Sequence, residues 1–297
     1  MDTARYKAFL ASVETGSFTK AAELLSYTPS GVCQLVNALE KELGFSLLLR
    51  GKQGVKPTPG GEMALGVVRE ILAQEDRLRQ LAAQICGLDV GDVMIGAYSS
   101  IATHWLPAVI KGFQQAYPHI RIRMMEGIRQ EVCQWLAQGR IDLAFYSYDE
   151  PMEFEWIPLA EDPMLAVLPP AHPLAHAQAY PLARVETENF IMPAMGRDAD
   201  VLSLFRKSGL TPHVQYSTLE NFAALAMIEQ GLGMSIMNEL ITRKWSGDVV
   251  KLPLDPPQYI TMGVAAKSIK NAPPAAARFI EYAAKQLSRA RIELQNN

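Results

Sequence analysis

The 297-residue sequence holds three cysteines, Cys33, Cys86 and Cys133, which are widely spaced and odd in number. That excludes a disulfide framework and a CxxC metal site, and it suits a reducing compartment. Long apolar runs are also missing. Apolar stretches such as 164–168 are short, and none approaches the ~18 residues of a membrane span. Residues 1–7 show no basic n-region, apolar core or small-residue cleavage site, so the chain is expected to stay in the cytoplasm. A surplus of one charge is lacking too: 28 Lys and Arg stand against 31 Asp and Glu, a net −3. No overall basic field announces a nucleic-acid partner, so any such site must concentrate its charge locally. Internal repeats and low-complexity segments are absent. What remains, at 49% hydrophobic and 20% charged residues, is a globular composition long enough for two or three packed units.

Catalytic and cofactor signatures are equally scarce. Gly233-Met234-Ser235-Ile236-Met237 lacks the closing glycine of a nucleophile elbow. His172 and His176 have helical metal spacing, but Pro169, Pro170 and Pro173 forbid a regular helix through them. Gly231 and Gly233 are followed by neither the third glycine nor the ribose-binding acid of a dinucleotide site. No catalytic residue, metal site or cofactor is expected.

Residues 4–86 read as helix after helix, with one turn-rich insertion at 51–57, whereas 90–297 alternate β-rich runs with helical segments. The change falls at 86–89. Beyond it the pattern predicts a strand (93–97), a helix (100–116), a strand (120–125), a helix (129–138) and a strand (142–146), a βαβ rhythm that predicts a mostly parallel sheet. A second α/β unit follows, with strands at 164–168, 189–192 and 234–236 and helices near 198–207 and 219–230. The tail from 274 to 290 is helical, with Ala275, Phe279, Tyr282 and Leu287 on one apolar face.

Phe9, Val13, Phe18, Ala21, Ala22, Leu24 and Leu25 supply the apolar positions of two short helices interrupted at Gly16, the second capped by Ser17. Thr28 is a good N-cap and Pro29 fits the first helical position. The third helix should bury Val32, Leu35 or Val36, Leu39 and Leu43 and stop at Gly44. Ser30, Cys33, Gln34 and Asn37 are left facing outward. Such a pair of helices can enter a major groove, where amides pair bidentately with adenine. Arg50, Lys52 and Lys56 then place three positive charges and no acid in a glycine-bearing hairpin, a wing suited to phosphates.

Residues 1–61 resemble the winged helix-turn-helix of LysR-type transcriptional regulators. The matching residues are 9–16, 17–25, Leu39-Glu40, Glu42-Leu43-Gly44, Leu47, Arg50 and Thr58-Pro59-Gly60-Gly61. The resemblance implies that the 28–39 helix reads operator DNA, with Arg50 and the wing on the backbone or minor groove. The implied contact set is Ser17, Thr19, Lys20, Thr28, Pro29, Ser30, Cys33, Gln34, Asn37, Arg50, Lys52 and Lys56. Cys33 departs from the usual Ser, Leu35 and Ala38 from common polar residues, and Leu48 from the usual Phe. A redox role for Cys33 would call for an electropositive neighbour or a resolving thiol, and none is visible in the sequence.

From Gly60 to Cys86 runs an amphipathic helix with Leu65, Val68, Leu72, Leu78, Ala82 and Ile85 at three- and four-residue spacing, a coiled-coil-like stripe. By the same resemblance it is a dimerisation linker, giving a homodimer or homotetramer. Residues 91–297 resemble the family's effector-binding part, an α/β two-lobed architecture like that of type 2 periplasmic binding proteins. The matches are Gly96, 113–118, 139–144, 171–175 and 231–234. The implied domains are 1–60 for DNA, 61–89 for the linker and 90–297 for the sensor, with lobe I at 91–163 and 267–297 and lobe II at 164–266.

A ligand between the lobes would meet strand ends and helix N-termini. Ser99, Ser100 and Thr103 follow the first strand. The resemblance adds Ile128, Arg129, Tyr146, Pro193, Ala194, Met195, Arg197 and Thr218. Arg129 and Arg197 could clamp a carboxylate, and methionines in the cleft would suit an apolar or aromatic part. The expected partners are double-stranded operator DNA and a small-molecule effector, with no membrane. The competing reading is an enzyme or solute-binding protein on the two-lobed fold, with the N-terminal helices used only for oligomerisation. Splitting the charge favours the regulator: residues 1–60 carry seven bases and five acids, a net +2, which leaves −5 for the rest.

Overall fold

The computed structural model describes residues 3–51 and 54–295; Lys52 lies outside them. The chain divides into two compact units that meet at Gly91/Asp92. In the first, α1 (Thr3–Thr15), α2 (Phe18–Leu25) and α3 (Pro29–Leu43) precede a hairpin of β1 (Leu48–Gly51) and β2 (Gly54–Pro57), and α4 (Pro59–Ile85) closes the unit. Local chemistry sets these boundaries. Ser17, Thr28 and Thr58 each accept a backbone N–H three residues on, Pro29 and Pro59 open their helices, and Gly44 ends α3 at φ 80°. The core gathers Phe9, Ala21, Ala22, Val32, Val36, Leu39, Leu47, Leu65 and Val68.

Val36, not Leu35, is the fully buried member of α3's inner face, and Leu43 packs only partly. Leu24 departs from expectation: it is 66% exposed, because α2 is a two-turn helix whose alanine pair supplies the contact. Gly61 is required by close approach, since a Cβ there would overlap the Leu47 carbonyl oxygen.

The second unit contains β3 (Gly91–Ala97), α5 (Ser99–His104), α6 (Leu106–Ala116), β4 (Ile120–Glu126), α7 (Arg129–Ala137), β5 (Leu143–Ser147) and the long β6 (Glu155–Leu168). There follow β7 (Tyr180–Pro181), β8 (Phe190–Met192), α8 (Ala199–Ser208), β9 (Val214–Ser217), α9 (Asn221–Glu229), β10 (Ser235–Asn238), α10 (Glu239–Thr242), β11 (Val250–Ala266) and α11 (Pro274–Gln295). The helix expected over 100–116 breaks at Trp105. Pro107 has no N–H to continue the ladder and disfavours helical geometry just before it.

The main sheet runs β10-β6-β11-β5-β3-β4. It is mixed, not mostly parallel: β3 and β5 run parallel, whereas β11 pairs antiparallel with both β5 and β6. β7, β9 and β11 are additions to the expected strands. The prolines of β11 at 253, 256 and 257 sit where its register with β6 shifts between Pro253 and Gln258. β6 and β11 cross between the lobes. Met262–Ala265 of β11 pair with β5, so these residues stand in lobe I's sheet although the expected return was at 267. Phe113, Phe145 and Phe279 centre the lobe I core, and Phe190, Phe205 and Ile236 centre lobe II. Ala275, Phe279 and Leu287 of α11 are buried as expected, with Tyr282 packed beside them.

Candidate functional site

In the first unit α2 and α3 meet through a tight turn in which Ser26 adopts the left-handed conformation (φ 57°). Thr19, Lys20, Thr28, Pro29, Ser30, Gln34 and Asn37 are exposed, and Ser17 and Cys33 are partly so. The outer face of α3 therefore presents a hydroxyl and two amides in sequence. Ser17 and Thr28 have cap duties: their side-chain oxygens accept Lys20 N (3.4 Å) and Gly31 N (3.1 Å). Thr28 Oγ1 also lies 3.1 Å from Ser30 Oγ.

Arg50 is held by three contacts of its own unit. Its Nη2 donates to Glu40 Oε2 (2.7 Å), its Nη1 to Cys33 Sγ (3.4 Å), and its guanidinium lies 5.3 Å from the Phe18 ring centroid. Glu40 Oε1 accepts from Leu47 N (2.7 Å) and Leu48 N (3.0 Å). One carboxylate thus ties α3 to the base of the hairpin, and Arg50 spans α2, α3 and β1. Cys33 has the electropositive neighbour that the sequence did not show. Lys56 stands exposed on β2.

The stripe expected for dimerisation divides. Leu65 and Val68 are buried in their own unit and Leu72 packs against it, so these three are intramolecular contacts; Leu78, Ala82 and Ile85 remain exposed. The free apolar face of α4 instead carries Met63, Val67, Ile71, Leu78, Leu81 and Ile85. The long amphipathic pattern carried two stripes, and the α1–α3 core took the first.

In the second unit a cleft of about 330 Å³ lies among the strand ends and helix starts of both lobes. Of the expected residues it collects Ser99, Ser100, Ile128, Arg129, Ala194 and Arg197. Tyr146 opens instead onto an adjoining recess of about 250 Å³, bounded also by Arg129, Cys133, Phe154 and Arg197. Thr103, Pro193, Met195 and Thr218 line neither. Thr103 lies a turn further along α5 and faces out. Around Ala194 and Met195 the chain turns through positive φ (50° and 52°), and Met195 N bonds Thr218 O (2.8 Å). That turn buries Pro193, exposes the Met195 side chain and occupies the Thr218 carbonyl. Met192, Met234 and Met237 are core.

Arg129 and Arg197 both line the cleft and the adjoining recess. Arg129 starts α7, its Nη1 lies 3.4 Å from Asp149 Oδ2, its Nη2 donates to Asp149 O (3.1 Å), and it lies over Tyr146 at 5.4 Å. Arg197 sits exposed at the rim. The lining that sequence reasoning missed is acidic and amide-bearing: Glu126, Glu131, Asp198, Asp200, Glu220 and Asn238, with Tyr98 beside them. Each follows a strand or enters a helix, the same positional signal that picked out Ser99 and Arg129. Acids at these positions do not fit the anion expected there.

These residues form two cross-lobe connections. Ser147 of β5 donates to Asp200 Oδ1 (2.5 Å), and its hydroxyl lies 3.1 Å from that of Tyr98. Burial first, and then the neighbouring Asp198, push the Asp200 carboxyl up to about 7. Burial likewise raises Asp198, which caps α8 by accepting Asp200 N and Val201 N at 3.0 Å each. On β6 the buried Asp162 accepts from Asn238 Nδ2 (2.5 Å) and Leu240 N (3.1 Å). Among the described residues no group of three or more metal-ligating side chains comes together.

Comparison with known proteins aligns with both units. Residues 4–62 match the model of the bacterial regulatory helix-turn-helix protein, lysR family, and residues 87–288 that of the LysR substrate binding domain. The HTH-type transcriptional regulator YvbU of Bacillus subtilis (strain 168) is 34% identical over 95% of this chain and 98% of its own. Among solved structures, HinK, a LysR family transcriptional regulator from Pseudomonas aeruginosa, is 27% identical with a TM-score of 0.60, covering 97% of this chain and 99% of that one. A full-length OxyR variant from the same organism shares the fold at a TM-score of 0.78 and 20% identity, covering 97% and 94%.

Proposed function

The chain belongs to the LysR family of transcriptional regulators, and on that premise we propose how its parts divide the work. Residues 1–60 read operator DNA through the exposed face of α3 and the wing, residues 61–89 join subunits, and residues 90–297 sense a small molecule in the cleft between the lobes. The observation that carries this reading is the row Pro29, Ser30, Gln34 and Asn37, exposed on a helix whose opposite side is anchored by Val32, Val36 and Leu39. Such a helix can enter a major groove without unfolding anything. Lys20 and Lys56 supply phosphate contacts, and Arg50 organises the surface while keeping donors free for the backbone. No helix among the described residues is long and apolar enough to cross a membrane, and action on DNA places the protein in the cytoplasm. Regulation, not catalysis, is its activity.

The test is DNA-affinity sequencing of genomic fragments with purified protein, which should enrich a dyad-related site. Replacing Lys20 and Lys56 together with alanine should weaken binding across all sequences and reduce the salt slope by about 2. Failure to enrich any dyad would sink the reading.

Subunit association is assigned to the second stripe of α4. The double variant Leu78→Glu, Ile85→Glu is expected to shift sedimentation to the monomer and to weaken dyad binding far more than half-site binding. If the association state does not change, the interface lies elsewhere.

A further inference from the structure

Resting on the reading of the cleft as the sensor site, we propose that its effector is an organic cation, a small metabolite whose protonated amine is held by the Asp200 carboxylate and the side-chain oxygen of Asn238.

The first observation is charge. The lining carries five acids, Glu126, Glu131, Asp198, Asp200 and Glu220, against two bases, Arg129 and Arg197. Arg129 pairs with Asp149 and lies over the Tyr146 ring, although its Nη1 makes no hydrogen bond. Arg197 is exposed and shared with the neighbouring recess.

The second is what has happened to the helix starts. A helix N-terminus favours an anion because its first N–H groups lack acceptors. At two of the helix starts around the cleft the chain's own carboxylates take that place: Asp198 accepts the N–H groups at the start of α8, and Glu131 accepts Ile128 N (3.1 Å) ahead of α7, whereas α5 and α9 carry no side-chain cap. An incoming carboxylate would find these donors used and would face like charge.

The third is independent of the acids. Asn238 is 6% exposed and Ser100 is 8% exposed, yet both line the cleft. The Asn238 amide is oriented by donating through Nδ2 to Asp162, which turns Oδ1 away from that bond. Among the described residues Oδ1 has no donor, and the Ser100 hydroxyl has no hydrogen-bond partner either. Both groups open onto the cleft without a protein partner, so a ligand or water must serve them. An ammonium has three donors and no acceptor, which matches a cleft offering a carboxylate, an amide oxygen and a hydroxyl. The high proton affinity of Asp200 has the same origin, a carboxylate held out of water beside Asp198 with one hydrogen bond from Ser147. A cation placed against it relieves that situation.

The experiment is a thermal-shift and calorimetric titration of the full-length protein with 1,4-diaminobutane and agmatine as cationic probes and benzoate and succinate as anionic ones. A cationic probe is expected to raise the melting temperature and the anions are not. Asp200→Asn and Asn238→Ala should each weaken the cation at least tenfold while keeping a cooperative melting transition. Cation affinity in the unmodified protein should rise between pH 6 and pH 8 as Asp200 ionises, and this dependence should vanish in Asp200→Asn. The other groups that face Asp200 are Asp198 of its own segment, Arg129 of α7, Asp149 beyond β5, and the hydroxyls of Ser147 and Tyr98. Binding of the anions with the amines inert overturns the cationic assignment and leaves the cleft a sensor. No response to either set overturns the sensor reading together with it, while operator binding tests the DNA-reading half separately.

Discussion

Glu40→Ala is expected to weaken operator binding more than tenfold and to destabilise the first unit by about 2–4 kcal/mol. The effect is large because one carboxylate serves three partners: the N–H groups of Leu47 and Leu48 and the guanidinium of Arg50. Its side chain is only 15% exposed, so removing it leaves two backbone donors at the base of the wing poorly served by water. Arg50 then loses the ion pair that aims it. Its remaining contacts, the Phe18 ring and the Cys33 sulfur, are too weak to hold a long side chain in one rotamer. Glu40→Gln keeps an acceptor for the backbone and should recover most of the stability but little of the affinity. Urea denaturation read alongside fluorescence anisotropy on an operator fragment separates the two. An unchanged denaturation midpoint in the alanine variant would show that the wing is held by the Leu47 and Leu48 packing alone.

The same residue shows what a sequence can and cannot disclose. Ser17, Thr28 and Gly44 were legible because capping is a contact between residues three or four apart, written in adjacent letters. Glu40 belonged to a recognisable pattern, but its reason for being there lies seven to ten residues away in a hairpin. The link from Arg50 to Cys33 spans 17 positions and could not be read at all. Leu65, Val68 and Leu72 were identified correctly as an apolar stripe and assigned to the wrong partner. Periodicity states that a face will be covered, not by what, and the core formed by α1 to α3 lay closer than a second subunit. β11 is absent from the local pattern: its prolines are sound local signals against a strand, and the pairing of Thr261–Ala266 with β6 overrides them. At the cleft, the loop positions were found because strand ends and helix starts are where side chains converge. That Arg129 pairs with Asp149 is visible only in the folded chain. It is Asp198, Asp200 and Asn238 that set the chemistry.

Asp200→Asn should make the ligand-free sensor unit more stable by about 1–3 kcal/mol at pH 8 while removing its response to amines. Folding raises the proton affinity of this carboxyl to about 7, so between the ordinary carboxylate range and that value the folded state keeps a proton that the unfolded chain has lost. Stability is then greatest on the acid side of this window and falls as the pH rises through it. The unmodified protein is therefore expected to melt at higher temperature at pH 5.5 than at pH 8, and the asparagine variant should lose most of that difference. Asparagine keeps the shape and an acceptor for Ser147, and it removes the charge that burial and Asp198 disfavour. A site held at such a disadvantage in the empty protein is stabilised by the cation that fills it. If Asp200→Asn proves destabilising at pH 8, the carboxylate is a structural clasp between the lobes and its charge is already compensated in the empty state.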